Sequence, residues 1–267
     1  MHRSGFLSLI LAVALVPIGL GCGDDEIDPN RAPTFTVPAP GTMAVDVSAL
    51  NAKPAASAGV CHGLSALVVA WVNANVAVRL AVPTLAFAAA VAEHPVYLGD
   101  ETWRWTTTGG LGNTWSAELE ATVDNEGNVD WTMRISGTSQ ALNRFLWFSG
   151  TSNRNAVSGV WHYFDPQSPA ESRELVEAEW SRASNAGAAS QELVFRNVDT
   201  QSPDSGDVLA YSLTGQTAAM EFEDASEVKT SSVWWDVVTG EGSATNPQGE
   251  TCCWGPRPEF NDVSCSQ

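Results

Sequence analysis

Alternation of apolar and polar residues dominates the chain from Trp103 onward. Between Thr114 and Val123 every second residue is apolar, and the residues between them are polar. Because successive side chains of a β-strand point to opposite faces, this period of two predicts a strand with one buried face. The turn-forming residues 124–128 follow, and the alternation resumes at Val129. The two segments therefore predict an antiparallel hairpin.

The same pattern recurs and predicts about ten consecutive strands. The predicted strands start at Trp103 and continue at 114–123, 129–135, 145–151, 157–163, 175–181, 193–198, 208–213, 218–222 and 232–238. Because the connections are short, we expect neighbouring strands to pair in an antiparallel meander over residues 101–254. The neighbouring Trp234 and Trp235 should then point to opposite faces. Residues 168–171 also fit a helix start, but the alternation after them favours a loop followed by a strand.

Residues 58–94 have a helical period instead. Apolar residues recur there at spacings of three and four, and residues 54–78 contain no charged side chain. Apolar residues on all faces are typical of a helix buried in a protein or of a membrane span. An arginine in mid-span costs about 2.5 to 3.5 kcal/mol, and Arg79 lies in the most apolar window. We therefore favour a buried helical region, kinked or divided at Pro83 and ending before Pro95.

These elements predict a mainly β, α+β domain over residues 58–267, with 255–267 as a C-terminal tail. About ten antiparallel strands would form a strongly curved sheet or a barrel packed on the N-terminal hydrophobic helical region. Over residues 57–267 this element order, together with a lipobox-like segment at residues 19–22, resembles the half-barrel lipoproteins and carriers of bacterial envelopes, the LolA and LolB type. The resemblance implies an acyl-chain cavity between helix and sheet. A closed up-and-down barrel with a helical plug fits the same order.

Residues 1–21 have the layout of a secretion signal. Arg3 precedes an uncharged apolar run from Phe6 to Leu20, and small residues follow before Cys22. Residues 19–22 resemble the bacterial lipobox, although Gly19 stands where leucine is commonest. The resemblance implies that Cys22 is lipidated and anchors the mature chain to a membrane of the bacterial cell envelope. The alternative is an ordinary secretory signal. Gly23 after the cysteine resembles outer-membrane sorting, with the protein facing the periplasm or the cell surface.

Residues 22–57 combine acidic residues with five prolines. This composition predicts a flexible tether between the lipid and the folded domain. An ordered addition to the domain is the alternative.

The overall charge excludes one class of partner. The chain carries 13 basic and 31 acidic side chains, a formal net charge of -18, and it contains no run of Lys or Arg. A nucleic-acid backbone would be repelled, and we expect no nucleic-acid partner.

Tryptophan is unusually frequent, with 11 residues, and several of them are regularly spaced. Trp115, Trp131 and Trp147 are sixteen residues apart, and Trp161 follows fourteen residues later. Neighbouring strands can therefore place indole rings at similar depths. The rings either fill the core or form the wall of a cavity for an apolar ligand.

Four cysteines follow Cys22 in the chain: Cys61, Cys252, Cys253 and Cys265. An even number in an exported protein predicts two disulfides. Pairing of the adjacent Cys252 and Cys253 is geometrically awkward, so we expect Cys61 to bond one of them and Cys265 the other. A zinc site of three cysteines with His62 is the alternative, but no ligand spacing supports it.

We found no catalytic motif, and His62, His94 and His162 are isolated in the sequence. The turn at 124–128 starts like a calcium loop, but Val129 stands where the required glycine belongs. We therefore expect no enzyme activity, cofactor or metal. The predicted function is a cell-envelope lipoprotein that binds or carries an apolar ligand between helix and sheet. The alternative is a structural or assembly accessory of the envelope without a small-molecule ligand.

Overall fold

The computed structural model describes residues 27–45, 47–50, 59–63, 78–109, 114–137, 142–170, 172–185 and 188–265. The predicted signal sequence, Cys22 and residues 64–77 of the predicted helical region lie outside this part of the chain.

Fourteen strands are present among the described residues. They are β1 (Val96–Gly99), β2 (Thr102–Gly109), β3 (Trp115–Val123), β4 (Asn128–Gly137), β5 (Leu142–Asn153), β6 (Ser158–Phe164), β7 (Glu174–Asn185), β8 (Ala188–Asn197), β9 (Val208–Thr214), β10 (Thr217–Asp224), β11 (Lys229–Asp236), β12 (Gly242–Thr245), β13 (Thr251–Trp254) and β14 (Asp262–Val263).

The strands form one sheet in which each strand pairs with its neighbours in sequence. The pairings are antiparallel, so the predicted mainly β meander is confirmed. The ten predicted strands correspond to β2–β11. The sheet order over the described residues is open, with β1 and β14 at its edges, so the closed-barrel alternative is wrong.

In the described residues the sheet is accompanied by α-helix at residues 60–63, a longer α-helix and one short 3-10 helix. The helix α1 (Val78–Val91) continues through Pro83 and ends before Pro95, so the chain is not divided at this proline. Ala86, Phe87 and Ala90 are buried, but Val82 and Leu85 are 55% and 69% exposed. The described part of the helix is therefore buried along one side. Within the described part of the chain, no helix has the length and apolar character needed to cross a membrane.

The sheet and α1 share an aromatic core. The ring of Phe87 lies 6.2 Å from Trp131, 6.1 Å from Phe148 and 5.9 Å from Trp161, measured between centroids. These contacts connect α1 to three neighbouring strands. On β11, Trp235 is fully buried while Trp234 is 44% exposed, which confirms that the two point to opposite faces.

Part of the predicted tether lies on this core instead. The ring of Phe35 is 5.2 Å from Trp103 and 5.5 Å from Trp131, and Met43 in the 3-10 helix (Pro40–Met43) is fully buried. The Trp103 Nε1–H donates a 2.8 Å hydrogen bond to the carbonyl of Arg31. The apolar residues between the prolines thus cover indole rings. Residues 27–45 and 47–50 are an ordered addition to the domain rather than a spacer.

One disulfide connects the two ends of the domain, and a second closes a short loop near its C-terminal end. Cys61 bonds Cys252 and Cys253 bonds Cys265, with Cα–Cα distances of 5.4 and 5.3 Å. This confirms the predicted arrangement and leaves none of these four thiols to bind zinc beside His62. The predicted tail also contains β14, where the Asp262 carboxylate accepts hydrogen bonds from the backbone N–H groups of Val60 and Cys61.

Candidate functional site

A cavity of about 820 Å³ lies between α1 and one end of the sheet. This volume falls in the range of about 300–1,000 Å³ that is typical of small-molecule sites. Most of the side chains around it are apolar. The lining residues are Val82, Pro83, Leu85, Ala86, Ala89, Trp115, Ile135, Gly137, Leu142, Trp147, Tyr163, Phe164, Asp165, Pro166, Gln167, Arg173, Leu175, Val176 and Asp199.

Strand ends position the sheet side of this cavity. The strands β4 and β6 end at Gly137 and Phe164, and β5 and β7 begin nearby at Leu142 and Glu174. Antiparallel pairing brings these ends together, so residues distant in sequence meet around one opening.

Two β-bulges add apolar side chains to the cavity wall. In the β4–β5 pair, Met133 is opposite Phe148 and Arg134 is opposite Leu146, which leaves Trp147 as an extra residue. In the β6–β7 pair, Leu175 is extra in the same way. A bulge redirects the side chains on its strand, and both extra residues line the cavity.

The cavity has a polar rim in which one guanidinium faces two carboxylates. Arg173 forms an ion pair with Asp165, its Nη1 lies 3.8 Å from Asp199 Oδ1, and the same Nη1 donates a 2.8 Å hydrogen bond to Gln201. Burial raises the pKa of Asp165, but hydrogen bonds from Arg173 and from the Gln167 N–H outweigh it and leave the pKa below its ordinary value. The carboxylate is therefore ionised, and the three groups together carry a negative charge.

Tyr163 contributes a neutral group to the lining. Its hydroxyl is buried and has no hydrogen-bond partner among the described residues. Burial raises its pKa well above the ordinary value. The hydroxyl therefore stays protonated at physiological pH.

The four tryptophans singled out in the sequence occupy two different environments. Trp115 and Trp147 line the cavity. Trp131 and Trp161 belong to the fully packed core, with ring centroids 6.4 Å apart, and Trp131 Nε1–H donates to Ser152 Oγ at 2.9 Å. The regular sequence spacing does not distinguish a tryptophan of the cavity wall from one of the packed core, because the rings lie at different positions along their strands.

The polar rim was not predicted from the sequence. Asp165, Arg173 and Asp199 belong to two different connections that the meander brings together. A sequence signal did exist for the bulges, since Trp147–Phe148 and Leu175–Val176 are adjacent apolar pairs that interrupt the alternation. Comparison of the chain with protein-family models, curated proteins and solved structures found no match.

Proposed function

We propose that this protein is a lipid-anchored protein of the bacterial cell envelope that binds an apolar ligand between α1 and the sheet. The observation that carries the proposal is the apolar cavity of about 820 Å³. Apolar surface in a cavity is stabilised when a ligand displaces water from it. A cavity of this size with aromatic and aliphatic walls therefore favours occupation by an apolar molecule.

The charges of the polar rim indicate which head groups a ligand can have. Two carboxylates and one guanidinium stand at its polar side, in a chain with a formal net charge of -18. A carboxylate or phosphate group placed there would meet a net negative charge. The proposed ligand is thus a hydrocarbon or an amphiphile without an anionic head.

The anchor is the second part of the proposal and rests on residues 1–22. Lipidation needs the thiol of Cys22, so Cys22→Ser should release the exported protein from the detergent-rich phase in which the parent partitions. Retention of the variant in that phase would contradict a lipid anchor at this cysteine.

The cavity is tested by filling it. The neutral dye N-phenyl-1-naphthylamine should bind the parent saturably, near one molecule per chain, with a rise in dye fluorescence. Ala89 lines the cavity, and Ala89→Phe should lower the affinity by at least about tenfold, equivalent to about 1.4 kcal/mol. Ala88 is the preceding residue of α1 and does not line the cavity. Ala88→Phe is therefore the matched control and should bind like the parent.

Circular dichroism and thermal unfolding would first establish that both variants are folded. Equal dye binding by parent and Ala89→Phe would show that the dye does not occupy this cavity, and the proposal would be wrong. If the parent binds no apolar probe, the accessory role becomes the better proposal. One observation favours the accessory role. Phe87 of α1 packs against aromatic rings of three strands, so part of the space between helix and sheet is already filled by side chains.

A further inference from the structure

The polar face of β6 and β7 carries a cluster of metal-ligating side chains. It consists of His162, Glu174 and Glu177, whose side chains are each about one third exposed. On the same two strands, Tyr163 and Val176 line the cavity on the other face of the sheet. The cluster is thus separate from the proposed ligand site.

The strand register explains how three side chains meet. His162 is directly opposite Glu177, so the two share a face of the sheet. Residues three apart on a regular strand face opposite sides, and Glu174 would ordinarily point away from Glu177. The bulge at Leu175 shifts this alternation and brings Glu174 to the same face.

The distances fit a small ion. His162 Nδ1 lies 2.8 Å from Glu174 Oε1 and 3.9 Å from Glu177 Oε2, and one donor atom from each residue lies within 4.8 Å of the others. Tetrahedral zinc with bonds of about 2.1 Å separates any two donors by about 3.4 Å. The two distances from His162 Nδ1 lie within about 0.6 Å of this value, and the carboxylate oxygens, which lie within 4.8 Å of each other, would come closer together around a metal.

Charge also favours a cation here. Arg196 is directly opposite Glu177 on β8, but in the ion pairs of the described residues the Glu177 carboxylate is paired with His162. Two carboxylates beside one imidazole give the cluster an excess of negative charge. Imidazole selects first-row metals over Mg²⁺ and Ca²⁺, and three protein ligands leave one zinc position open to water.

We propose that His162, Glu174 and Glu177 form a surface site for a first-row divalent cation such as Zn²⁺. The ion would bridge β6 and β7 on the face opposite the cavity.

Isothermal titration of the disulfide-bonded protein with Zn²⁺ tests this site. The parent should bind one ion per chain at the site. Loss of an outer-shell partner alone typically costs about 10- to 100-fold in metal affinity, so His162→Gln and Glu177→Gln should each weaken binding at least about tenfold. His94 is exposed and lies outside the cluster, so His94→Gln is the matched control and should bind like the parent.

Thermal unfolding gives a second measurement on the same proteins. Zn²⁺ should raise the midpoint of the parent and of His94→Gln, because binding to the folded state alone stabilises it. At the same Zn²⁺ concentration it should raise the midpoint of His162→Gln by less than that of the parent. The site does not exist if the parent shows no binding, or if His162→Gln binds Zn²⁺ as tightly as the parent does.

Discussion

Six tryptophans of the described strands lie directly opposite a glycine, and in four of these pairs the indole ring lies over the glycine. These four pairs are Gly109 with Trp115, Gly150 with Trp161, Gly159 with Trp180 and Gly242 with Trp254. A β-carbon added at any of these glycines would overlap atoms of the paired indole ring. The missing side chain therefore provides the space in which the ring lies, which explains why glycine is acceptable within these strands.

The Gly159–Trp180 pair gives a prediction at the scale of single residues. Gly159→Ala should lower the free energy of unfolding by at least about 1 to 3 kcal/mol, the usual cost of overpacking, because the added β-carbon would overlap the Thr151 carbonyl oxygen and the buried Trp180 ring. Urea unfolding followed by tryptophan fluorescence would measure the change. Gly137→Ala is the control, since an added β-carbon there meets its nearest atoms at 3.7 and 3.8 Å. Equal stability of the two variants would contradict the proposed role of the glycine.

At the scale of elements, aspartate and asparagine side chains organise the turns between strands. In each of these turns a side-chain oxygen accepts a hydrogen bond from a backbone N–H two to four residues later, as in Asx turns. This occurs at Asp124, Asn153, Asp165, Asp199, Asp224, Asp236 and Asn246. Some of the acidic residues of the chain therefore stabilise turns of the folded protein.

Asp236 makes this dependence testable through pH. Hydrogen bonds from the N–H groups of Thr239 and Val238 lower its pKa in the folded protein. The folded state then binds fewer protons than the unfolded state, so this stabilisation is present above the unfolded pKa, about 3.9, and is lost as the pH falls through the folded pKa. Asp236→Asn keeps the acceptor oxygen but not the charge.

As the pH falls from 5 to the acid limit of folding, the free energy of unfolding should decrease less in Asp236→Asn than in the parent. The difference should equal about the contribution of one titrating group. Urea unfolding at a series of pH values would measure this. Asp130 is an exposed strand residue outside the turns, and Asp130→Asn controls for removal of a charge. Identical pH profiles of Asp236→Asn and the parent would exclude a contribution from this turn.

The sequence predicted the long strands well, because β2–β11 have seven or more residues and show enough alternation to be identified. It did not predict β1, β12, β13 and β14, which have four residues or fewer and so show too little alternation. It favoured a flexible tether for residues 27–45, which are structured in the protein. Scattered apolar residues in this segment, such as Phe35, pack on indole rings that are distant in sequence. Of the proposed ligand site, Trp115 and Trp147 were predicted. The polar rim depends on strand register and was not.

At the scale of the whole molecule, the two disulfides differ mainly in the length of chain that they close. The sequence separations are 191 residues for Cys61–Cys252 and 12 for Cys253–Cys265. In the chain-entropy model, a bridge stabilises the folded state by restricting the unfolded chain, and the effect increases with loop length. The longer bridge should therefore be the more stabilising one.

Removing each bridge separately tests this order. The double change of Cys61 and Cys252 to Ser should lower the free energy of unfolding by about 5 kcal/mol, and the same change at Cys253 and Cys265 by about 3 kcal/mol. Equilibrium unfolding in urea would compare the two variants with the parent. A larger loss from removal of the shorter bridge would show that native contacts, rather than chain entropy, decide the effect.

The longer bridge also determines how the molecule would respond to tension. A force applied between the two ends of the chain would first act on the contacts of residues 27–45 with the sheet. Once these contacts are broken, the force would pass from Cys61 directly to Cys252, and β1–β12 would carry none of the load. Reduction of this bond would bring 191 residues into the force path and add roughly 650 Å of contour length, at about 3.4 Å per residue. In the oxidised state, pulling on the N-terminal end would move the sheet as a unit without stretching it.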